Sequence, residues 1–137
     1  MLVDMKRRSV HDLLAEARSS LRRIDPFRAQ AAMQEGALLI DTRSDDERAK
    51  HGSIPGSLQI PLSVLEWRVD PDSGTHDPAI GDFGDAIILI CAHGYSSSLA
   101  ARRLQELGFA NATDVIGGFE AWNDAGLPVS RLQANEP

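Results

Sequence analysis

Ala86-Ile87-Ile88-Leu89-Ile90 is an unbroken apolar run that ends abruptly at Cys91. It is too short for a stable helix, and the lack of alternation means that both of its faces must be buried. Strands of this kind belong to parallel sheets covered by helices on both sides. The rest of the 137-residue chain must therefore build and cover such a sheet. Ala37-Leu38-Leu39-Ile40 is a second apolar run of strand length, and Leu58-Gln59-Ile60 and Asp114-Val115-Ile116 are weaker candidates.

Helical segments separate these strands. Val10, Leu13, Leu14, Ala17, Leu21 and Ile24 recur at spacings of three and four, so a first helix has one apolar face. Ser9, with Asp12 three residues on, makes a capping-box-like start. Asp25-Pro26 reads as an N-cap followed by proline at the first helical position, and Gly36 ends that second helix. Leu62 to Val69 is a short helix candidate, and Asp70 to Gly84, rich in Asp, Gly and Pro, reads as surface loop. Ser97 to Leu107 carries Ala100, Ala101, Leu104 and Leu107 on one face and stops at Gly108; Glu120 to Ala125 is a last short helix. Strands alternating with helices predict an α/β fold, an open, mainly parallel sheet of about five strands with helices on both faces. The expected organisation is an N-terminal extension over 1–24 with one amphipathic helix packed on the domain, a domain over 25–132 and a tail over 133–137.

Composition narrows the class. A content of 42% hydrophobic and 25% charged residues suits one folded domain. Lys+Arg 14 against Asp+Glu 20 gives a net charge of −6, and the densest basic stretch is only Lys6-Arg7-Arg8. Nucleic-acid binding is therefore not expected. No apolar run approaches the ~20 residues that span a bilayer, and Met1 to Arg8 lacks a secretory h-region. No membrane association is expected, and a cytoplasmic location is. One cysteine excludes an internal disulfide framework or a Cys-rich zinc site, and His11, His51, His76 and His93 show no metal-ligand spacing. There is no phosphate-binding Gly-rich motif either, so neither metal nor cofactor is expected.

Cys91 is then the residue to explain. In open parallel sheets ligands gather beyond the carboxyl ends of the strands, where Cys91 sits. A short loop, Ala92-His93-Gly94-Tyr95-Ser96-Ser97, leads from it into the next helix. Such a loop can aim several backbone N–H groups at one point and add the positive end of the helix dipole, which makes an anion site. Gly94 permits the positive φ or close backbone approach that a tight cradle needs. The same field favours thiolate over thiol, suiting Cys91 to nucleophilic attack on an anionic substrate.

Four stretches with these features resemble the rhodanese (thiosulfate:cyanide sulfurtransferase) family in its single-domain form. They are Leu38 to Arg43 with its Asp-x-Arg ending, His51 to Ser57 around Ile54-Pro55-Gly56, the loop Ile90 to Ser98, and Val115 to Trp122 followed by Gly126-Leu127-Pro128-Val129. The resemblance implies that Cys91 takes the sulfane sulfur of a small anionic donor such as thiosulfate and holds it as a persulfide. A thiophilic acceptor then removes it: cyanide in an assay, a thiol in cells, including a thiol on a protein acceptor. The amides of Ala92, His93, Gly94, Tyr95, Ser96 and Ser97 would cradle the donor and the persulfide. With no second cysteine in these residues, the acceptor must come from elsewhere. Many rhodaneses carry a basic residue where this chain has Ser96. A hydroxyl supplies no charge assistance, so weak affinity for thiosulfate is expected.

Asp41 and Arg43 end the neighbouring strand on the same rim. At this level they serve equally well to hold the active loop from behind, or with Arg43 facing the donor, as they do as a structural ion pair. His93 is read as a loop side chain facing solvent, His51 as a structural hydrogen-bonding residue, and Trp122 as core; Trp67 stays open between rim and core. Two other functions compete. A cysteine phosphatase needs an arginine after five intervening residues, and that position is Ser97. A non-catalytic or regulatory sulfur-carrier or partner-binding module of the same fold is the other alternative, and loading of sulfur onto Cys91 separates the enzyme from a partner-binding module.

Overall fold

The computed structural model describes residues 6–131. Helices and strands alternate: α1 (Val10–Ser19), α2 (Pro26–Gln34), β1 (Leu38–Asp41), α3 (Asp45–His51), β2 (Leu58–Gln59), α4 (Leu65–Val69), β3 (Ile87–Ile90), α5 (Ser96–Leu107), β4 (Thr113–Asp114) and α6 (Gly118–Asp124). A single 3-10 turn over Leu62–Val64 leads into α4. The strands form one sheet in the order β2-β1-β3-β4, with every pairing parallel.

Side chains leave a strand on alternate faces, and β3 sorts its residues accordingly. Ile87 and Leu89 join one apolar cluster with Leu65, Val69, Ala101, Leu104 and Phe109; Ile88 and Ile90 join another with Ala29, Leu39, Val115, Phe119 and Trp122. Thus α4 and α5 cover one face of the sheet, with α1 packed against α5, while α2 and α6 cover the other. All four β3 residues are buried. At about 1.5–3 kcal/mol for each large aliphatic side chain, that burial is what the unbroken run contributes to the fold.

Four strands form where about five were expected. A single residue holds the fifth place: Ile24 makes a parallel bridge with Val115, donating its N–H to the Asp114 carbonyl at 3.2 Å and accepting from the Ile116 N–H at 2.9 Å. The bridge cannot lengthen into a strand, because Asp25 already caps α2. β4 begins one residue earlier than the sequence suggests, and Ile116 is left exposed. α3 was not expected, having no apolar stripe; a Ser44–Glu47 capping box, acidic residues in its first turn and basic ones in its last hold it instead. Val10 and Leu13, read as part of the apolar face of α1, point to solvent, and packing starts nearer Ala17 and Leu21. The expected tail over 133–137 lies outside the described residues. No helix among the described residues is long and apolar enough to cross a membrane.

Candidate active site

The parallel sheet delivers Cys91 to its carboxyl edge. Thr42, just beyond β1, donates both its N–H (2.9 Å) and its hydroxyl (3.2 Å) to the Ile90 carbonyl and so pins the end of β3. Cys91 is only 6% exposed. Its Sγ accepts the Gly94 N–H at 3.2 Å and the Ser97 N–H at 3.4 Å, and lies 3.2 Å from Ser97 Oγ. No side chain caps α5. The sulfur stands where a capping acceptor would, at the positive end of the helix dipole.

Two glycines let the loop close this tightly. Gly94 has φ 85°, and a Cβ there would lie 2.8 Å from the Gly117 nitrogen. On the opposing segment, a Cβ at Gly118 would lie 2.5 Å from the Cys91 carbonyl oxygen and 2.7 Å from the Gly94 nitrogen. Phe119 then donates its N–H to the Cys91 carbonyl at 2.7 Å, and Glu120 to the Ala92 carbonyl at 3.1 Å. Burial pushes the Cys91 thiol up. The hydrogen bond with the Ser97 side chain, then those of the Ser96 side chain and the Ser97 and Gly94 amides, outweigh it, and the thiol ends below its ordinary value.

Beneath the sulfur lies a charged network that rests on α1. Asp114 Oδ2 accepts the hydroxyls of Ser97 (2.8 Å) and Ser98 (2.7 Å) and the Arg23 Nη2 (3.2 Å), while Oδ1 accepts the Arg23 Nε at 2.8 Å. The Asp114 carboxylate is fully buried. Arg23 Nη2 also donates to the Gly94 carbonyl at 3.1 Å, and Arg18 Nη2 donates to the same oxygen at 2.8 Å.

Above the sulfur a cleft of about 360 Å³ is lined by Thr42, Arg43, Glu47, Leu62 and Ser96, among others. Arg43 is 3% exposed. Its Nη2 donates to Asp41 Oδ2 and to the Gly52 carbonyl, both at 2.8 Å, and its guanidinium carbon lies 3.7 Å from the centre of the Phe119 ring. Asp41 and Arg43 thus form a buried ion pair that ties the end of β1 to the α3 turn, and Arg43 also borders the cleft.

The structure brings only part of the expected loop onto the sulfur. The amides of Gly94 and Ser97 reach it; those of Ala92, His93, Tyr95 and Ser96 do not bond to it. Ala92 and Ser96 line the cleft. His93 is exposed beside Glu120, 3.6 Å away, and Tyr95 faces solvent with the Arg18 guanidinium 6.0 Å from its ring centre. Trp122 is core and donates its indole N–H to the Pro128 carbonyl at 2.9 Å. Trp67 is exposed and away from the Cys91 cleft. His51 is exposed at the end of α3 and its ring makes no hydrogen bond among the described residues, contrary to the structural role read for it. Asp114, Ser98, Arg18 and Arg23 escaped the sequence reading. A carboxylate at Asp114, directly before the apolar pair Val115-Ile116, was the one available signal.

A cysteine cradled at the carboxyl edge of a small parallel sheet, between a capless helix and a glycine pair, defines a rhodanese-like domain. Residues 26–125 match the model of the rhodanese-like domain family, and the chain belongs to that family. A thiosulfate sulfurtransferase GlpE of Haemophilus influenzae is 34% identical over 111 residues, covering 80% of this chain and 95% of that protein. An adenylyltransferase and sulfurtransferase MOCS3-2 of Zea mays is 40% identical over 101 residues, which are 69% of this chain but 20% of that protein. A solved structure from Rhodopseudomonas palustris, of a protein of unknown function described as a possible tyrosine phosphatase, superposes with a TM-score of 0.82 at 31% identity, over 94% of this chain and 99% of that one. The protein is a rhodanese-type sulfurtransferase.

Proposed function

We propose that Cys91 is the nucleophile of a sulfur transfer through a persulfide. The observation that carries this reading is the sulfur itself, held by the Gly94 and Ser97 amides at the floor of an open cleft. With thiosulfate as donor, the Cys91 thiolate attacks the outer sulfur, a new S–S bond forms, and the bond to the sulfonate sulfur breaks. Sulfite leaves with the electron pair. An incoming cyanide or thiolate then attacks the terminal sulfur, and the S–S bond breaks back to the Cys91 thiolate. No proton has to be removed in the attack, so an exposed His93 is no obstacle. Two-step transfer of this kind gives ping-pong kinetics.

The cleft suits a donor with little charge. Ser96 brings a hydroxyl to its wall, and Arg43 gives its Nε and Nη2 to Asp41 and Gly52 and keeps only a buried Nη1 without a partner. Glu47 adds a carboxylate to the same lining. A persulfide carried by a small or protein-borne thiol fits these walls better than dianionic thiosulfate, and the acceptor is a thiol from outside the chain. A nucleophile that works as a free thiolate suits a reducing compartment, which supports a cytoplasmic location. The phosphatase description stays with the Rhodopseudomonas neighbour. The clamp position here is Ser97, whose hydroxyl turns down to Asp114.

Intact mass after incubation with a sulfane donor, alongside Cys91→Ser, tests the reading. One added sulfur on the native protein alone, removed by cyanide, is expected. Failure to load from thiosulfate, from 3-mercaptopyruvate and from a persulfidated thiol alike would favour the partner-binding alternative.

A further inference from the structure

The match to the family begins at residue 26, yet two guanidiniums from the preceding segment reach under the Cys91 loop. Their placement is built. α1 packs on α5, Gln105 Nε2 donates to the Ser20 carbonyl at 3.0 Å, and Ile24 is bridged to Val115. Between these anchors Arg18 bonds Ser98 Oγ (3.1 Å) and the Gly94 carbonyl, while Arg23 bonds that same carbonyl and both oxygens of Asp114.

We propose that Arg18 and Arg23 are positioning residues for Cys91, one pair of guanidiniums that fixes the Gly94 carbonyl away from the sulfur and neutralises the carboxylate behind it. Each half has a physical reason. A carbonyl oxygen turned toward a thiolate repels it, whereas Gly94 must offer the sulfur its N–H; two cations on its oxygen hold the residue in that orientation. Asp114 is a fully buried carboxylate one serine away from the sulfur, and unneutralised it opposes a second negative charge there.

Arg23 also governs a proton. Ser97 has one hydroxyl hydrogen, which in this arrangement goes to Asp114. When the thiol ionises, the sulfur needs that hydrogen. Asp114 can release it because Ser98 and both Arg23 nitrogens still satisfy the carboxylate. The other charged groups near the sulfur are Arg43 and Glu47 across the cleft and His93 with Glu120 at the loop's outer side; none of them contacts Gly94 or Asp114.

The inference deepens the proposed role of Cys91, and its test does not use sulfur transfer. The chain has one cysteine, so ultraviolet thiolate absorbance against pH, with Cys91→Ser subtracted, reports this site alone. Arg18→Gln and Arg23→Gln are expected to shift the titration midpoint upward, with about three- to tenfold less thiolate at neutral pH. Arg18→Lys and Arg23→Lys should recover part of the loss. Thermal unfolding is followed in parallel, since a purely structural role lowers the melting temperature and leaves the midpoint where it was. A folded Arg18→Gln protein with the native midpoint would overturn the proposal. Arg18 makes no ion pair among the described residues, so this variant decides the matter even if Arg23→Gln does not fold. A native protein that titrates as expected but takes up no sulfur would instead overturn the sulfur-transfer mechanism and leave this inference standing.

Discussion

Removing the Ser97 hydroxyl tests the cradle most directly. Ser97→Ala keeps the Ser97 and Gly94 amides and the Ser96 side chain at the sulfur and deletes the 3.2 Å approach of Oγ. A hydrogen bond to an ionised group is worth about 1.5–3 kcal/mol. The lower figure applies here, because three donors remain and the cleft lets water in. A loss of about 1.5 kcal/mol in thiolate stabilisation means about tenfold less thiolate below the titration midpoint. The alkylation rate of Cys91 by iodoacetamide, followed by intact mass across a pH series, should therefore fall about tenfold at the acidic end and match the native rate on the alkaline plateau. Asp114 keeps Ser98 and Arg23, so stability should drop by only about 1 kcal/mol, a few degrees in melting temperature. A rate unchanged at every pH, or lowered equally at every pH, would refute the reasoning: the first removes Ser97 from the ionisation, the second makes its effect one of access.

Three further outcomes follow from the geometry. Ser96→Arg places a cation in the cleft wall and should lower the KM for thiosulfate about tenfold in a cyanide assay, with kcat moving less; a KM already micromolar in the native protein and untouched by the change would count against the charge argument. Gly118→Ala drives a methyl group to 2.5 Å from the Cys91 carbonyl oxygen, so persulfide formation in the mass assay should fall by at least about tenfold even if the circular dichroism spectrum is native; normal loading would show that the loop can yield. Because the folded thiol lies below its ordinary value, the unfolded chain holds more protons between the two values, and stability rises with pH across that window and then levels. Urea unfolding of the native protein minus Cys91→Ser should trace that rise, and a flat or falling difference would contradict the lowered pKa.

The parts of this molecule set by local pattern were readable in the chain. The apolar run of β3 required burial on both faces, and the Cys91 loop followed from its position at the carboxyl end. α2 carried its own cap in Asp25, and α5 its own stop in Gly108. What depended on distant partners was not readable. β2 and β4 are two residues long each, and pairing with a neighbour decides their register, not propensity. α3 has charged residues on every side, so periodicity gave it no signal, although Ser44 and Glu47 held one. Arg18 and Arg23 sit among other arginines in a solvent-facing stretch, and only the crossing of α1 over α5 separates those that reach Gly94 from those that do not. Asp114 could be read as a strand residue but not as the counter-charge of a site 23 positions away.

The contact between Gly94 and the Gly117–Gly118 pair also has a consequence for the order of assembly. The loop obtains two of its backbone donors, from Phe119 and Glu120, only when a later stretch of the chain has docked onto it. Until α6 has docked, the carbonyls of Cys91 and Ala92 lack these donors, and the loop that turns the Gly94 and Ser97 amides onto the sulfur lacks its backing. The cradle around the sulfur is thus a product of the finished conformation, completed by the part of the chain that comes after it.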